Sequence, residues 1–228
     1  MNSERKAVIF DMDGVLIDSE RAHQQAEIGA LALHGLRVTV KDLKPYAGAN
    51  RDAFRIGIDK QFGVKLDWDA VYEEKDKRLF QMFEEVNTLP GVIDLLRDLK
   101  SAGLKLAIAT SSTKAQLDFI VHKFGFDSLF DEMVCTIDIT RSKPDPEIFL
   151  VASERLGVES GECVVIEDSL NGLLAAKAAG MTVIAITSTF RREELINADL
   201  IIDSFDELSV EMLQNLKEEQ VISGGVRR

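Results

Sequence analysis

Short runs of apolar residues recur along the chain and alternate with longer segments in which the apolar residues follow a helical period. Such short, wholly apolar runs are typical of strands that are covered on both faces of a sheet. The runs are Ala7–Phe10, Leu104–Ala109, Val164–Ile166, Thr182–Ile186 and Leu200–Ile202. Strands that alternate with helices predict βα units. We therefore expect an α/β fold, with a Rossmann-like parallel sheet and helices on both of its faces.

The region from about Asp18 to Val86 differs, because its apolar residues follow helical spacing only. The stripes are Phe54, Ile58 and Phe62; Trp68 and Val71, after a possible N-cap at Asp67; and Leu79, Phe83 and Val86. We interpret them as the core of a small all-helical insert after the first strand. The predicted domains are an α/β core of residues 1–16 and 90–228 and a helical cap of residues 17–89. Ligands bind beyond the carboxyl ends of such strands, so this insert would cover the site.

The charge balance narrows the range of partners. The 228 residues carry a net charge of −12, whereas a general nucleic-acid-binding protein needs a basic surface. A small phosphorylated substrate remains compatible, because a metal ion and one lysine can reverse the charge locally. No apolar run is long enough for a membrane span or a signal peptide. We expect neither nucleic acid nor membrane as a partner, and a monomer or weak dimer.

The cysteines and histidines give no sign of a disulfide or a zinc site. Cys135 and Cys163 each lie in an apolar run, which predicts buried thiols and fits a reducing cytoplasm. The three histidines are scattered, without the spacing of zinc ligands. The charged tail after Leu216 is expected to fray.

Acidic residues follow two of the predicted strands. Asp11 and Asp13 leave the first strand, and Glu167 and Asp168 leave the strand Val164–Ile166. Carboxylates that converge from two strand ends resemble an oxygen-rich Mg²⁺ site. Simpler interpretations exist: an acidic pair can solvate a loop, and Asp168 can cap the helix that follows.

Hydroxyl groups and a lysine follow other strands. Thr110, Ser111 and Ser112 end the strand Leu104–Ala109, where hydroxyls and free N–H groups suit a phosphate oxygen, or simply cap a helix. Lys143 precedes Pro144 in a stiff loop and could neutralise phosphoryl oxygens, although most loop lysines are only solvated. No P-loop, dinucleotide fingerprint or serine-hydrolase nucleophile elbow is present in the sequence.

Together these segments resemble the four ordered motifs of the haloacid dehalogenase superfamily. The motifs are Asp11-x-Asp13-Gly14-Val15, Ala109-Thr110-Ser111-Ser112, Ser142-Lys143-Pro144-Asp145-Pro146-Glu147-Ile148-Phe149 and Val165-Ile166-Glu167-Asp168-Ser169-x-Asn171-Gly172. Each is modest alone, but their order over nearly the whole chain is specific. The second aspartate implies the phosphatase and phosphomutase branch, because a true dehalogenase lacks it. The position of the insert resembles the helical cap of the β-phosphoglucomutase-like subgroup.

The resemblance implies a Mg²⁺-dependent enzyme that acts on a small phosphorylated metabolite. Asp11 would attack phosphorus and form an aspartyl-phosphate. Asp13 would protonate the leaving oxygen and then deprotonate the attacking water. Thr110 and Lys143 would hold the phosphoryl oxygens, with Ser111 also contacting the substrate. The metal ligands it implies are Asp11, the carbonyl of Asp13, Asp168 and, directly or through water, Glu167.

The cap leaves the reaction open. Arg51 matches a cap arginine of the mutases that binds a distal phosphate, His23 and Ser19 match positions near the hinge, and Lys75 lies close to a cap lysine. We take a sugar-phosphate phosphatase as the main hypothesis and a β-phosphoglucomutase-type phosphomutase as the alternative. A non-catalytic acidic binding module is a third class, disfavoured because the motif residues are retained. The sequence does not name the substrate.

Overall fold

Six parallel strands form one sheet, in the order β3-β2-β1-β4-β5-β6, in the computed structural model, which describes residues 5–46 and 48–216. The strands are β1 (Ala7–Phe10), β2 (Lys105–Ala109), β3 (Glu132–Val134), β4 (Cys163–Glu167), β5 (Thr182–Ile186) and β6 (Leu200–Ile202). All five predicted strands are confirmed. The edge strand β3 was not predicted, because it has only three residues and two of them are only partly buried.

Nine helices accompany the sheet in the described part of the chain. They are α1 (Glu20–Leu33), α2 (Val40–Leu43), α3 (Arg51–Phe62), α4 (Trp68–Phe83), α5 (Val92–Ser101), α6 (Lys114–Phe124), α7 (Glu147–Leu156), α8 (Leu170–Ala178) and α9 (Val210–Gln214). Short 3₁₀ turns connect several of these elements. None of the helices is both long and apolar enough to cross a lipid bilayer, as far as residues 5–46 and 48–216 extend.

Alternate residues of the strands face two separate apolar cores. Val8 and Phe10 of β1 lie in the first core with α5, α6 and α9, whereas Ala7 and Ile9 lie in the second core with α7 and α8. Successive side chains of a strand point to opposite faces, so a wholly apolar strand supplies both cores. The predicted arrangement, helices on both faces of a parallel sheet, is confirmed.

The helices between β1 and α5 enclose a third apolar core. Its buried members are Ala30, Leu31, Val38, Leu43, Phe54, Ile58, Trp68 and Val71. The side chain of Asp67 accepts a hydrogen bond from the Ala70 N–H and caps α4, as predicted. Leu79, Phe83 and Val86 differ from the prediction, because they belong to the first core beside the sheet. Helix α4 spans 16 residues, long enough for its two halves to pack in different cores.

The two segments that connect these helices to the sheet run side by side. Ile17 forms an antiparallel bridge with Thr88. The Asp18 N–H donates to the Asn87 carbonyl (3.0 Å), and the Leu89 N–H donates to the Leu16 carbonyl (3.1 Å). The inserted helices therefore enter and leave at one point, next to the carboxyl end of β1.

Both cysteines are free and buried, as predicted. Burial raises the pKa of the Cys163 thiol to about 12 and also raises the pKa of Cys135. The tail after Leu216, predicted to fray, lies outside the described residues.

Candidate active site

The centre of the sheet brings the acidic motifs together. Strands β1 and β4 are neighbours, with Phe10 in register with Ile166, at the point where the strand order reverses. The Asp11 N–H donates to the Ile166 carbonyl (3.0 Å), which extends the pairing by one residue. Asp11 and Glu167 therefore leave adjacent strands at the same edge. This switch point is where open α/β sheets bind ligands.

The Lys143 ammonium lies between two carboxylates at this edge. Its Nζ donates to Oδ1 of Asp11 (2.6 Å), to Oε1 of Glu167 (2.7 Å) and to the Ala109 carbonyl (3.1 Å). The residue is only 4% exposed, and the ammonium lies 4.8 Å from the centre of the Phe149 ring. Burial lowers the pKa of Lys143, but the two carboxylates outweigh it and raise the pKa above its ordinary value. Lys143 is therefore a fixed, charged group rather than a solvated loop lysine.

Asp11 is buried, and one of its carboxylate oxygens accepts the hydrogen bond from Lys143. Burial raises its pKa, and the Glu167 and Asp13 charges add to this effect, whereas Lys143 lowers it; the result is a pKa of about 7. One ammonium shared with Glu167 does not fully compensate for the loss of water around this carboxylate. Further positive charge at the site would favour the ionised form.

Asp13 is held by three side chains, two from the start of α1 and one from the loop after β2. Its Oδ1 accepts from the Ser19 hydroxyl (2.7 Å) and lies 3.0 Å from Nε2 of His23, and its Oδ2 accepts from the Ser112 hydroxyl (2.6 Å). Burial raises the pKa of Asp13, but the His23 charge and these hydrogen bonds outweigh it and lower the pKa to about 2. Ser112 was grouped with the phosphate-binding hydroxyls, and the sequence did not indicate its bond to Asp13.

Both oxygens of Glu167 have donors from the protein. In addition to Lys143 on Oε1, Oε2 accepts from the N–H groups of Asp168 (2.9 Å) and Ser169 (2.8 Å) and from the Ser169 hydroxyl (2.9 Å). A Cβ at Gly172 would collide with this carboxylate, so only glycine fits there. Glu167 was predicted to bind metal directly or through water, and here it anchors Lys143 and the start of α8.

Asp168 is a buried carboxylate that lacks a cationic partner. Burial raises its pKa well above the ordinary value, and the Glu167 and Asp11 charges add to the shift. No lysine, arginine or histidine forms an ion pair with it in the part of the chain that the structure describes. It lies against Gly14, which has a φ of +77° and where any Cβ would meet the carboxylate. The buried Thr189 hydroxyl lies on the same side of Gly14 and partly offsets the rise in the pKa of Asp168.

The carboxylates of Asp11 and Asp168 fit a Mg²⁺ ion that has few protein ligands. No group of three His, Cys, Asp or Glu side chains within residues 5–46 and 48–216 is arranged as a metal site. Mg²⁺ is commonly bound by one or two carboxylates, and waters and substrate phosphate supply the other ligands. When ionised, the three carboxylates of Asp11, Glu167 and Asp168 exceed the one ammonium of Lys143 by two charges. A divalent cation at Asp11 and Asp168 would balance this excess of negative charge.

All ten predicted site residues line one cavity of about 590 Å³, between the sheet edge and the inserted helices. They are Asp11, Asp13, His23, Arg51, Lys75, Thr110, Ser111, Lys143, Glu167 and Asp168. Thr110 is buried, and its hydroxyl accepts from the Ser112 N–H (3.0 Å), whereas Ser111 is exposed. The topology of the sheet explains this convergence, since its motif residues follow strands that end at one edge.

The inserted helices contact the sheet domain over this cavity. The Gly48 backbone lies against Ser169, and the Asn171 amide donates to the Gly48 carbonyl (3.4 Å). Elsewhere the Gln116 amide donates to Asp76 (3.2 Å). The insert thus covers the carboxyl edge of the strands.

Both cationic residues predicted in the cap already have carboxylate partners. Nη2 of Arg51 lies 2.7 Å from each oxygen of Asp76, and Nζ of Lys75 lies 2.6 Å from Oε1 of Glu27. The acidic sequence neighbours of Lys75 suggested a surface charge, but its partner comes from α1, 48 residues away.

Comparisons with known proteins agree with this geometry. Residues 5–180 match the family described as haloacid dehalogenase-like hydrolase. The chain is 30% identical over 218 residues to hexitol phosphatase B of Escherichia coli K12, covering 91% of this chain and 96% of that protein. It is 36% identical over 215 residues to SUPPRESSOR OF QUENCHING 1, chloroplastic, of Arabidopsis thaliana, covering 90% of this chain but only 20% of that protein. The crystal structure of a β-phosphoglucomutase from Clostridium difficile is similar, with a TM-score of 0.81 at 28% identity, covering 92% of this chain and 96% of that one.

Proposed function

The chain belongs to the haloacid dehalogenase-like hydrolase family, and from this premise we propose a Mg²⁺-dependent phosphatase of small phosphorylated metabolites, chiefly sugar phosphates. The observation that carries the proposal is the buried Lys143 ammonium, which holds one oxygen of Asp11 at the edge of the cavity. An oriented, desolvated carboxylate next to fixed positive charge suits attack on phosphorus.

In the proposed reaction, a carboxylate oxygen of Asp11 forms a bond to phosphorus, and the bond from phosphorus to the sugar oxygen breaks. Asp13 gives a proton to the departing oxygen. Water then attacks the aspartyl-phosphate, Asp13 takes a proton from that water, and phosphate and the free Asp11 carboxylate are released. One carboxylate thus serves both halves of the reaction.

Asp13 must change its surroundings to act as an acid. Its contacts with Ser19, His23 and Ser112 hold it as an anion, with a pKa of about 2. We infer that a bound substrate replaces the His23 contact with its own leaving oxygen, which removes the main charge that lowers this pKa.

The other residues hold the phosphoryl group and the metal. Mg²⁺ would bind to the carboxylates of Asp11 and Asp168 and to the Asp13 carbonyl, and it supplies positive charge that neutralises the phosphoryl oxygens. Thr110 and Ser111 would donate to those oxygens, and Lys143 would exchange one of its three present acceptors for a phosphoryl oxygen. Glu167 would orient Lys143 without contacting the metal directly.

We propose that residues 17–89 act as a cap domain on a core of residues 1–16 and 90–228. The paired linkers next to Ile17 and Thr88 would serve as its hinge, and closure would exclude bulk solvent from the cavity while leaving room for the water that attacks the intermediate. A small phosphorylated molecule is then the only partner required. The buried free thiols are consistent with a reducing cytoplasm, and we expect a monomer or weak dimer.

A screen of phosphorylated metabolites for phosphate release in Mg²⁺ tests this function. Several monophosphates should be hydrolysed, and EDTA should abolish turnover until Mg²⁺ is restored. Ca²⁺ should inhibit, because its looser coordination would misplace Asp11. Asp11→Asn is the control: it should fold normally and lose activity by at least about 10⁴-fold. Full activity in metal-free buffer, or no release from any monophosphate, would contradict the proposal.

A β-phosphoglucomutase-type phosphomutase is the alternative, since it uses the same covalent step. The hexitol phosphatase relative supports hydrolysis, whereas the β-phosphoglucomutase neighbour supports the alternative. The decisive assay incubates the enzyme with β-glucose 1-phosphate and a trace of glucose 1,6-bisphosphate. If glucose 6-phosphate forms faster than free phosphate, and if Arg51→Ala abolishes this preference, the protein is a phosphomutase and the phosphatase proposal is wrong.

A further inference from the structure

We infer that Glu27 and Asp76 determine the substrate class, by neutralising the two cations that face the cavity from the inserted helices. The site would then select monophosphates with an uncharged polyhydroxyl end over bisphosphates. This inference rests on the proposed phosphatase function and adds two specificity-determining residues to it.

The first neutralised cation is Lys75. Its ammonium lies 2.6 Å from Oε1 of Glu27, and both side chains are largely buried, with 15% and 16% exposed. Glu27 itself lines the cavity. A substrate anion that approached Lys75 would have to share the ammonium with the Glu27 carboxylate in a poorly solvated position, where the two negative charges repel each other.

The second neutralised cation is Arg51. One of its nitrogens lies 2.7 Å from both oxygens of Asp76, and the guanidinium lies 4.8 Å from the centre of the Tyr72 ring. The Tyr72 hydroxyl also donates to the Arg51 carbonyl. Asp76 accepts a further bond from the Gln116 amide of α6 (3.2 Å), so this carboxylate is fixed from both domains. Arg51, although 42% exposed, is therefore already paired with a carboxylate of the inserted helices.

The remaining charges on this wall do not favour a second phosphate. Apart from the two ion pairs, the acidic residues that line the cavity from the inserted helices are Glu20 and Asp52, and His23 lies beside them. A phosphate group adds about 1.5 to 2 negative charges at neutral pH. Sugar hydroxyls, in contrast, can donate to these carboxylates without separating either ion pair. The wall is therefore matched to an uncharged polyhydroxyl group.

The test compares two substrates that differ only in the distal phosphate. The kcat/KM values of the native enzyme, Glu27→Gln, Asp76→Asn and the double variant are measured in Mg²⁺ with β-glucose 1-phosphate and with β-glucose 1,6-bisphosphate. We expect the native enzyme to prefer the monophosphate. In the double variant the bisphosphate-to-monophosphate ratio of kcat/KM should rise by at least about tenfold, because both cations are released.

Glu74→Gln is the matched control. It removes the same charge from α4 one residue before Lys75 and breaks an ion pair with Arg78 (2.6 Å), and neither partner lines the cavity. Its ratio should stay within about twofold of the native value, since neither cavity cation gains freedom. A similar rise in Glu74→Gln and in the double variant would attribute the effect to net charge and overturn the inference.

Two further outcomes would also overturn it: a native enzyme that prefers the bisphosphate, or an unchanged ratio in a double variant that melts at the native temperature. If the double variant melts at a lower temperature than the native enzyme, the same kcat/KM ratio is measured for Arg51→Ala and Lys75→Ala in the native background. A loss confined to the bisphosphate would show that these cations already bind its distal phosphate. Nitrophenyl phosphate separates the two proposals, because absence of turnover by the native enzyme defeats the phosphatase function itself.

Discussion

At the scale of single residues, Lys143 is the group on which the arrangement of the site depends most directly. Its ammonium donates to both Asp11 and Glu167. Glu167 in turn accepts hydrogen bonds from the N–H groups of Asp168 and Ser169, just before α8. Removing one member of a buried ionic group costs much more than an exposed pair contributes, because the remaining charges lose both their partner and their water. Asp11, the proposed nucleophile, and the start of α8 are therefore coupled through the Lys143 side chain.

Replacing Lys143 should destabilise the protein as well as inactivate it. In the metal-free protein, Lys143→Met should lower the free energy of unfolding by about 3 to 5 kcal/mol, because two buried carboxylates lose their cation. Urea unfolding measures the change. Lys114→Met is the control, since its pair with Asp118 is exposed and its loss should matter little. Equal unfolding midpoints for the two variants would contradict the assignment of Lys143 as a buried ionic partner.

Replacing Asp13 should have an effect that depends on the leaving group. Asp13→Asn should reduce kcat for a sugar phosphate by about 10²- to 10⁴-fold, because the alkoxide that departs needs a proton. Nitrophenyl phosphate should lose much less, since nitrophenolate is a stable anion. Steady-state kinetics on both substrates measure the difference. Losses of the same size on both would argue against Asp13 as the general acid.

At the scale of elements, the C-terminal end of α4 is attached to α6 by one lysine. Lys123 Nζ donates to the carbonyls of Phe83 (2.7 Å), Glu84 (2.8 Å) and Val86 (2.6 Å). The last carbonyls of a helix lack partners within the helix, and a cation there also complements the helix dipole. Lys123 thus fixes the start of the second linker to the sheet domain, a role that the sequence did not indicate.

Loss of this attachment should loosen the second linker. Lys123→Met should lower the free energy of unfolding by about 1 to 3 kcal/mol, because hydrogen bonds to a charged donor are lost. Hydrogen–deuterium exchange of residues 83–91 should become faster. Lys100→Met, which removes a pair with Asp131 on the sheet domain, is the control and should leave exchange in that peptide unchanged. Equal exchange rates of residues 83–91 in the two variants would show that Lys123 does not hold the second linker.

At the scale of the whole molecule, the cavity lies between two parts of the chain that touch at separate points. Gly48 contacts Ser169, Asp76 accepts from Gln116, and Lys44 lies 3.7 Å from Glu194. These contacts at the cavity are polar, whereas Leu79, Phe83 and Val86 pack in the first apolar core, next to the paired linkers. The apolar contact is thus concentrated at the hinge. We therefore expect the inserted helices to move as a unit, so that substrate can enter and product can leave.

A reversible cross-link between the two parts should stop turnover. In Lys44→Cys/Glu194→Cys, a short cleavable thiol cross-linker should lower kcat/KM by at least about tenfold, because the insert can no longer open. Cleaving the linker should restore activity. The single variants, treated with the same reagent, are the control, and the native thiols are buried. Undiminished turnover in a fully cross-linked sample would show that entry does not require this motion.

The local pattern was sufficient for five of the six strands and for the inserted helices, and the resemblance to a known family supplied the ten predicted site residues, all of which line the cavity. Apolar runs predict strands, and the carboxyl ends of parallel strands meet at one edge, so motif residues that follow strands must converge. The edge strand β3 was missed because a three-residue strand with two partly buried residues has no distinct pattern.

Only the tertiary structure decided which side chains pair. Lys75 pairs with Glu27 rather than with its acidic sequence neighbours, Ser112 donates to Asp13, and Lys123 holds the end of α4. Such partners lie tens of residues apart, and their distances are set by how helices and strands pack. Local periodicity reports which face of an element is buried, but not which charged atom of a distant element will lie within hydrogen-bonding distance.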